Sequence, residues 1–352
     1  MRYIVHGAGA VGSLVGGLLA DTGAEVILIA RLPQAEVIQQ RGLTIHSIFH
    51  PTRQISHVTA VTSPHEITPQ PDDILLLAVK SADTNQSIHE LQEVFPQTTP
   101  LFCLQNGVRN EPTAAERFLH VYGVMIAACV NYLEPGVVAH TLNRELVLGN
   151  YPLGCDEVAT KVGQDFMQAG FGVVLSGHVM AAKWGKLVLN LTNALLAITG
   201  HHLQLARVTP EVSLLMAEVQ EEGLRVLEAA GIPLTEGNNP LDVFAMTQQL
   251  RQVGESLPDE EAIQAAESLP EAMRTVVSTW VDLQGQRGET EASYLNGEIL
   301  LLGEKHHVPT PYNFTLLDVV ERMAAQHALP GQYSVAELRE MIAEHAARDS
   351  EI

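Results

Sequence analysis

Apolar residues fall into two rhythms along this chain. In the first half they come in short runs bounded by turn formers: Tyr3–His6, Val26–Ile29, Ile74–Val79, Pro100–Leu104 and Tyr122–Val130. Such runs, separated by stretches of helical spacing, predict strands in a βαβ alternation, and so a mostly parallel sheet with helices on both faces. Past Leu133 the pattern changes. Glu134-Pro135-Gly136-Val137-Val138 and Leu146–Gly149 read as hairpin strands around turns, and Val173–Ser176 as a last strand. From about Gly177 the spacing is helical, over Ala182–Leu196, Val212–Ala230, Leu241–Leu250, Met273–Leu283, Glu291–Lys305 and Leu316–His327. Gly231-Ile232-Pro233 is a helix stop. Asn238-Asn239-Pro240 and Leu257-Pro258-Asp259 mark loops, Glu255–Glu267 a solvated helix or loop, and Ala346–Ile352 a frayed end.

The first run leads into Gly7-Ala8-Gly9-Ala10-Val11-Gly12, a G-x-G-x-x-G, and then into an apolar, small-residue segment. Strand, tight turn and helix start are the parts of a dinucleotide-binding Rossmann unit. Gly7 permits the sharp turn, Gly9 lets a pyrophosphate approach the backbone, and Gly12 lets the helix pack against the strand. The N–H groups of the helix start face the phosphates. The expected fold is therefore α/β, with a Rossmann dinucleotide-binding domain over residues 1–177 and an all-helical substrate domain over 178–352. A cleft between them is the expected pocket.

A site for NAD usually ends its second strand with Asp or Glu, to accept from the ribose 2′-OH. Here Val26–Ile29 runs into Ala30-Arg31, and Glu25 stands too early to serve. A guanidinium matches a phosphate in charge and geometry, which favours NADP(H). Lys80, after the strand-like run Asp73–Val79, supplies a second cation for the 2′-phosphate.

The 352 residues leave room for two cores, and a composition of 46% hydrophobic and 17% charged residues is ordinary for a soluble globular protein. A net charge of −21 argues against nucleic acid or an anionic membrane as partner. It leaves open an anionic small substrate, which needs only local cations. Cys103, Cys129 and Cys155 form no C-x-x-C pair and suit a reducing compartment. His6–Ala20 mimics a signal-peptide core but lacks a basic region beyond Arg2, and no run reaches roughly 18 uninterrupted apolar residues. A cytoplasmic location follows as an expectation. No metal is expected. The adjacent pairs His201-His202 and His306-His307 face different ways on a helix or strand.

Four clusters carry candidate chemistry. Gln105-Asn106-Gly107 is a turn after a buried strand, where the Asn106 amide either lines a nicotinamide site or only shapes the turn. In Lys186-Leu187-Val188-Leu189-Asn190, Lys186 and Asn190 share one helix face, with Asn193 a turn further on. A lysine in an apolar wall loses solvation and becomes able to give a proton near neutrality, or it snorkels to solvent. Ser278 and Asp282 again stand four apart. In Thr290-Glu291-Ala292-Ser293-Tyr294-Leu295-Asn296-Gly297, Thr290 is a candidate helix cap with Glu291 in the first turn.

In their order these segments, with Pro311 and Asn313 as a P-x-N near the end, resemble the ketopantoate reductase family (2-dehydropantoate 2-reductases) over nearly the whole chain. The family pattern has G-x-G-x-x-G, Q-N-G, K-L-x-x-N, S-x-x-x-D and T-E-x-x-Y-x-N-G. The resemblance implies NADPH-dependent reduction of 2-dehydropantoate to (R)-pantoate, on the route to pantothenate and coenzyme A. Lys186 is then the catalytic general acid and Asn190 its polar neighbour. Glu291 is a catalytic residue that contacts substrate and cofactor. Asn106 lines the nicotinamide and substrate pocket, Asn193 adds a substrate contact, and Ser278 binds the substrate carboxylate. Arg31 and Lys80 favour NADPH.

The chain departs from the family in four places. The segment within 234–272 is longer than in compact members. Thr275 stands where the family often has Asn. The family Asn beyond K-L-x-x-N has no clear match around Gly200-His201-His202, and the loop from Asp282 to Glu291 carries one extra residue. Two rival functions stay in view: the same machinery acting on another 2-keto acid, and a protein that binds NADPH and reports redox state without turnover. Retention of Lys186 and Glu291 argues against the second. A homodimer is compatible with the sequence.

Overall fold

The computed structural model describes residues 1–234 and 241–349. The loop expected at Asn238-Asn239-Pro240 and the last three residues of the expected frayed end lie outside the described residues. The chain divides into two compact units, Met1–Trp184 and Gly185–Leu234 continued from Leu241. The division falls inside one helix, Val179–Asn190, where the sequence reading had put it at 177/178.

The first unit carries the strands β1 (Arg2–His6), β2 (Glu25–Ile29), β3 (Leu43–Ser47), β4 (Arg53–Ile55), β5 (Thr59–Val61), β6 (Asp73–Leu77), β7 (Leu101–Cys103), β8 (Val121–Ile126), β9 (Cys129–Glu134), β10 (Val137–Leu142), β11 (Glu145–Asn150) and β12 (Gly172–Leu175). Its helices are α1 (Ala10–Asp21), α2 (Leu32–Arg41), α3 (Thr84–Val94), α4 (Asn110–Ala115) and α5 (Glu157–Gln168). Helix α6 (Val179–Asn190) leads into the second unit, which continues as α7 (Thr192–Thr199), α8 (Leu203–Ala206), α9 (Pro210–Ala229), α10 (Val243–Gly254), α11 (Glu260–Glu267), α12 (Ser278–Gln284), α13 (Asn296–His306), α14 (Pro311–Ala325) and α15 (Val335–Asp349).

An eight-stranded sheet runs β12-β11-β8-β7-β6-β1-β2-β5, parallel except where β8 meets β11. β1 lies inside it and is buried along its whole length, as a strand covered on both faces must be. Its side chains alternate. Tyr3 and Val5 pack with Leu14 and Leu18 of α1, whereas Ile4 packs with Leu75, Ile88 and Phe95 on the other face. A second, four-stranded sheet, β4-β3-β10-β9, was not anticipated. The apolar run Tyr122–Val130 therefore belongs to two strands in two sheets: β8 ends at Ile126 and β9 starts at Cys129. β9 and β10 form the expected hairpin about Gly136, but β11 returns to the larger sheet. β3, β4 and β5 were missed because Leu43–Ser47, Arg53–Ile55 and Thr59–Val61 mix polar with apolar residues and form no continuous apolar run.

The second unit holds four corrections. The helix expected over Ala182–Leu196 breaks at Leu191, between α6 and α7. The Thr192 hydroxyl donates to the Leu189 carbonyl (3.0 Å) and the Asn296 amide to the Leu191 carbonyl (3.0 Å), so the break is held by side chains while the apolar spacing runs straight through. The helix expected over Met273–Leu283 starts only at Ser278. Before it, Thr275 is tied to the α8 segment through the Leu203 N–H (2.9 Å) and the Gln204 side chain (2.9 and 3.0 Å). The helix expected from Glu291 starts at Asn296, after a single 3₁₀ turn at Ala292–Tyr294. Ala346 lies within α15, which was not foreseen; Leu338 and Ile342 bury its inner face.

Glu222 of α9 is fully buried and accepts from the backbone N–H groups of Tyr312 (3.1 Å) and Asn313 (2.8 Å) and from the Asn313 amide (2.9 Å). It thus satisfies the start of α14, the helix end that favours a carboxylate. Burial pushes its carboxyl above the usual range, and the Asn313 and Tyr312 donors pull it back. In Glu222→Gln an amide N–H must face one of these donors. We expect a loss of about 1–3 kcal/mol, read from urea unfolding; an unchanged midpoint and slope would show that water satisfies the helix start instead.

Candidate active site

Strands β2, β1, β6 and β7 are neighbours in register: His6 lies opposite Ile29 and Leu77, and Leu77 opposite Cys103. The segments that leave their carboxyl ends hold Gly7–Gly12 after β1, Arg31 after β2, Lys80 after β6 and Asn106 after β7. Every cofactor residue expected in the first unit therefore sits along one edge of the sheet, where ligands of open α/β sheets bind.

The glycine turn fits a dinucleotide on steric grounds. Gly7 has φ +104°, and a Cβ there would lie 2.6 Å from the Val79 nitrogen. A Cβ on Gly12 would come 2.1 Å from the Gly7 carbonyl oxygen. No described atom lies within 4 Å of a Cβ built on Gly9, so its bareness serves whatever approaches the turn from outside. Ala10 and Val11 open α1, whose N-cap is Gly9 and whose first turn holds no acid, which suits a pyrophosphate. The Ala8 carbonyl accepts from the Ser13 hydroxyl (3.1 Å) and the buried Gln34 amide (3.1 Å). Gln34 Oε1 in turn accepts from the Tyr132 hydroxyl (2.9 Å) and the Gly136 N–H (2.7 Å), stitching the turn to the β9–β10 hairpin. Nothing in the spacing announces Gln34.

Arg31 precedes α2, with its side chain 93% exposed and its guanidinium 4.0 Å from the Asp83 carboxylate. The acid absent from the tip of β2 thus arrives from the segment after β6. Lys80 is half-buried, just before the 3₁₀ turn Ser81–Asp83. The half-buried Asn106 precedes Gly107, whose φ of +80° makes the turn. Its carbonyl accepts from the Asn110 amide (2.8 Å) and the Ser81 hydroxyl (3.3 Å). Buried Gln105 donates to Thr84 (2.7 Å), and Thr84 to Asn110 (2.8 Å). This polar chain holds the Q-N-G turn against the Lys80-Ser81 segment, and sequence reasoning missed it.

In the second unit Lys186, Asn190 and Asn193 are all half-buried, while Leu187, Val188 and Leu191 are buried. By spacing the three polar residues make one helical strip, with the break at Leu191 between Asn190 and Asn193. Ser278 and Asp282 part company. Ser278 is exposed at the first turn of α12, whereas Asp282 is buried and accepts from the Arg287 guanidinium (2.6 Å). Glu291 is half-buried and is itself the N-cap of the 3₁₀ turn; the Thr290 hydroxyl, one residue earlier, accepts from the Ala292 N–H (3.3 Å), and no long helix starts at Thr290 as expected.

A buried ion pair was also missed. Lys183 of α6 meets Glu111 of α4, both almost wholly inside the first unit. Burial pushes the Glu111 carboxyl up and Lys183 pulls it back. Lys183 and Lys186 stand three positions apart, and spacing alone does not say which faces the core. Among the described residues no group of three or more His, Cys, Asp or Glu is placed to hold a metal, and no helix is long and apolar enough to cross a membrane.

Comparison with known proteins places this geometry. The family Ketopantoate reductase PanE/ApbA matches residues 3–152, and Ketopantoate reductase PanE/ApbA C terminal matches residues 178–324. A 2-dehydropantoate 2-reductase of Pyrococcus horikoshii is 28% identical over 91% of this chain and 97% of its own. The crystal structure of a PanE/ApbA family ketopantoate reductase from Ralstonia eutropha JMP134 superposes with a TM-score of 0.75, at 30% identity over 93% of this chain and 99% of that one. D-mandelate dehydrogenase, solved with NADH and anilino(oxo)acetate, has the same fold (TM-score 0.75, 23% identity, 93% of this chain and 99% of that one). The chain belongs to the ketopantoate reductase PanE/ApbA family and is an oxidoreductase.

Proposed function

We propose that this chain reduces 2-dehydropantoate to (R)-pantoate with NADPH, in pantothenate and coenzyme A biosynthesis. The observation that carries the reading is the convergence of the glycine turn, Arg31, Lys80 and Asn106 on one sheet edge. The substrate rests on relatives named for that reaction. When bound, the reduced nicotinamide supplies the hydride. The chain's own residues do the rest. Gly7–Gly12 hold the pyrophosphate, and Arg31 and Lys80 the 2′-phosphate. Lys186, half-buried on α6, stabilises the charge growing on the ketone oxygen and protonates it. Asn190, Asn193 and Asn106 fix the substrate's polar groups, Ser278 its carboxylate, and Glu291 orients substrate or lysine. The test is NADPH oxidation across a panel of 2-keto acids; no turnover of 2-dehydropantoate would sink the reading.

Cofactor choice gives a second measurement. NADPH should bind more tightly than NADH, and Arg31→Ala should erase most of the difference. Asp83→Asn should strengthen NADPH binding by about 1 kcal/mol or less, as befits an exposed pair. Fluorescence titration of both cofactors checks this. Equal affinities in the unaltered chain refute the role of Arg31.

Reduction of a different 2-keto acid is favoured by one observation. Thr275, in place of the family's frequent Asn, is engaged by Gln204. The same panel decides it.

A further inference from the structure

Asn296 lies five residues after Glu291 and is 1% exposed. Its amide nitrogen donates twice, to the Leu191 carbonyl (3.0 Å) and to Oδ1 of Asn313 (2.9 Å). Asn313, wholly buried, donates from its own amide to Glu222 (2.9 Å) and to the Val219 carbonyl (3.3 Å). The direction of every bond is therefore determined. A Glu222 carboxylate only accepts, so Asn313 turns its nitrogen to it. Asn313 then offers oxygen to Asn296, and the Asn296 nitrogen is left facing Leu191.

Leu191 is where α6 ends and α7 begins. It stands one residue after Asn190, five after Lys186 and two before Asn193. A side chain that holds the carbonyl at a helix break fixes how the two helix ends leave it. The same side chain stands at the start of α13, directly beyond the 3₁₀ turn that follows Glu291. One buried amide thus joins the Glu291 segment to the strip of Lys186, Asn190 and Asn193. Packing alone does not call for it. Asn296 Oδ1 has no hydrogen-bond partner among the described residues, a cost that a leucine of similar size would avoid.

We propose that Asn296 is a positioning residue, whose bond to the Leu191 carbonyl sets the placement of Glu291 relative to Lys186 and Asn190. The proposal rests on the catalytic reading of Lys186 and Glu291 and adds the element that holds them in relation.

The experiment uses the full chain with Asn296→Leu and the milder Asn296→Ser, whose hydroxyl still donates. Thr315→Val serves as control. It removes a hydroxyl bonded to the Pro311 carbonyl (2.7 Å) and His345 (2.8 Å) on the same helix as Asn313, outside the network. For Asn296→Leu the expected result is a kcat lower by about ten- to a hundredfold. KM and NADPH affinity should stay within about threefold, and the pH limb of kcat that belongs to Lys186 should shift. Asn296→Ser should fall between, and it carries the test if Asn296→Leu does not fold. Thr315→Val should lower the thermal midpoint and leave both kcat and the pH limb in place. Normal kcat in both Asn296 variants, or an equal loss in the control, overturns the positioning role. Lys186→Ala is measured beside them. Near-normal turnover there overturns the catalytic reading and this proposal together, whereas normal Asn296 variants beside a disabled Lys186→Ala overturn the positioning alone.

Discussion

Replacing Lys186 by alanine is expected to slow 2-dehydropantoate reduction by about 10²–10⁴-fold, with NADPH affinity nearly unchanged. The asymmetry follows from where the charge is used. The ketone oxygen is neutral in the ground state and gathers charge only as the hydride arrives, so an ammonium beside it stabilises the transition state far more than the bound substrate. The residues proposed to hold the cofactor, Gly7–Gly12, Arg31 and Lys80, belong to the other unit, where the glycine turn keeps its own supports. Single-turnover rates and cofactor titration on the variant separate the two effects. Near-normal turnover would return Lys186 to the role of a lysine with a buried stem and a solvated head.

The second large effect concerns stability. Glu111 and Lys183 are a buried pair with almost no solvent on either side chain. Glu111→Ala leaves an ammonium inside the first unit with its counter-charge gone, and should cost about 3–5 kcal/mol. Glu111→Leu combined with Lys183→Met removes both charges and should recover most of that loss, because burying the pair carries its own desolvation cost. Guanidinium unfolding of the single and double variants checks this. A double variant no more stable than the single one would mean that packing around α4 and α6, rather than the orphaned charge, sets the loss.

What the sequence disclosed and what it hid divide along physical lines. β1 and the glycine turn were legible because a strand covered on both faces must be apolar throughout and because Gly7 and Gly12 each have a local steric reason, while Gly9 leaves the turn open from outside. Arg31 was legible as a cation at the end of β2. Its partner Asp83 was not, since a loop-to-loop approach leaves no periodicity. The break at Leu191 was invisible for a similar reason: apolar spacing passes through it, and the side chain that holds it lies 105 residues further on. Ser278 and Asp282 show the limit of spacing arguments. Four residues apart on one short helix, one is exposed and the other is turned inward to Arg287. The second sheet was hidden because Tyr122–Val130 stays apolar while the chain leaves one sheet for the other.

The link from Gln34 to the β9–β10 hairpin has a consequence for descent. The glycine turn itself tolerates little change, since Gly7 and Gly12 are hemmed in by backbone. The hairpin, reaching the Ala8 carbonyl through one amide, is freer: Tyr132 is half exposed at the edge of its sheet. Mutations there can loosen or stiffen the turn without altering the glycine motif. Lineages that diverge in how firmly they hold a dinucleotide therefore have a second place to accumulate heritable change, one that a comparison of glycine motifs alone would overlook.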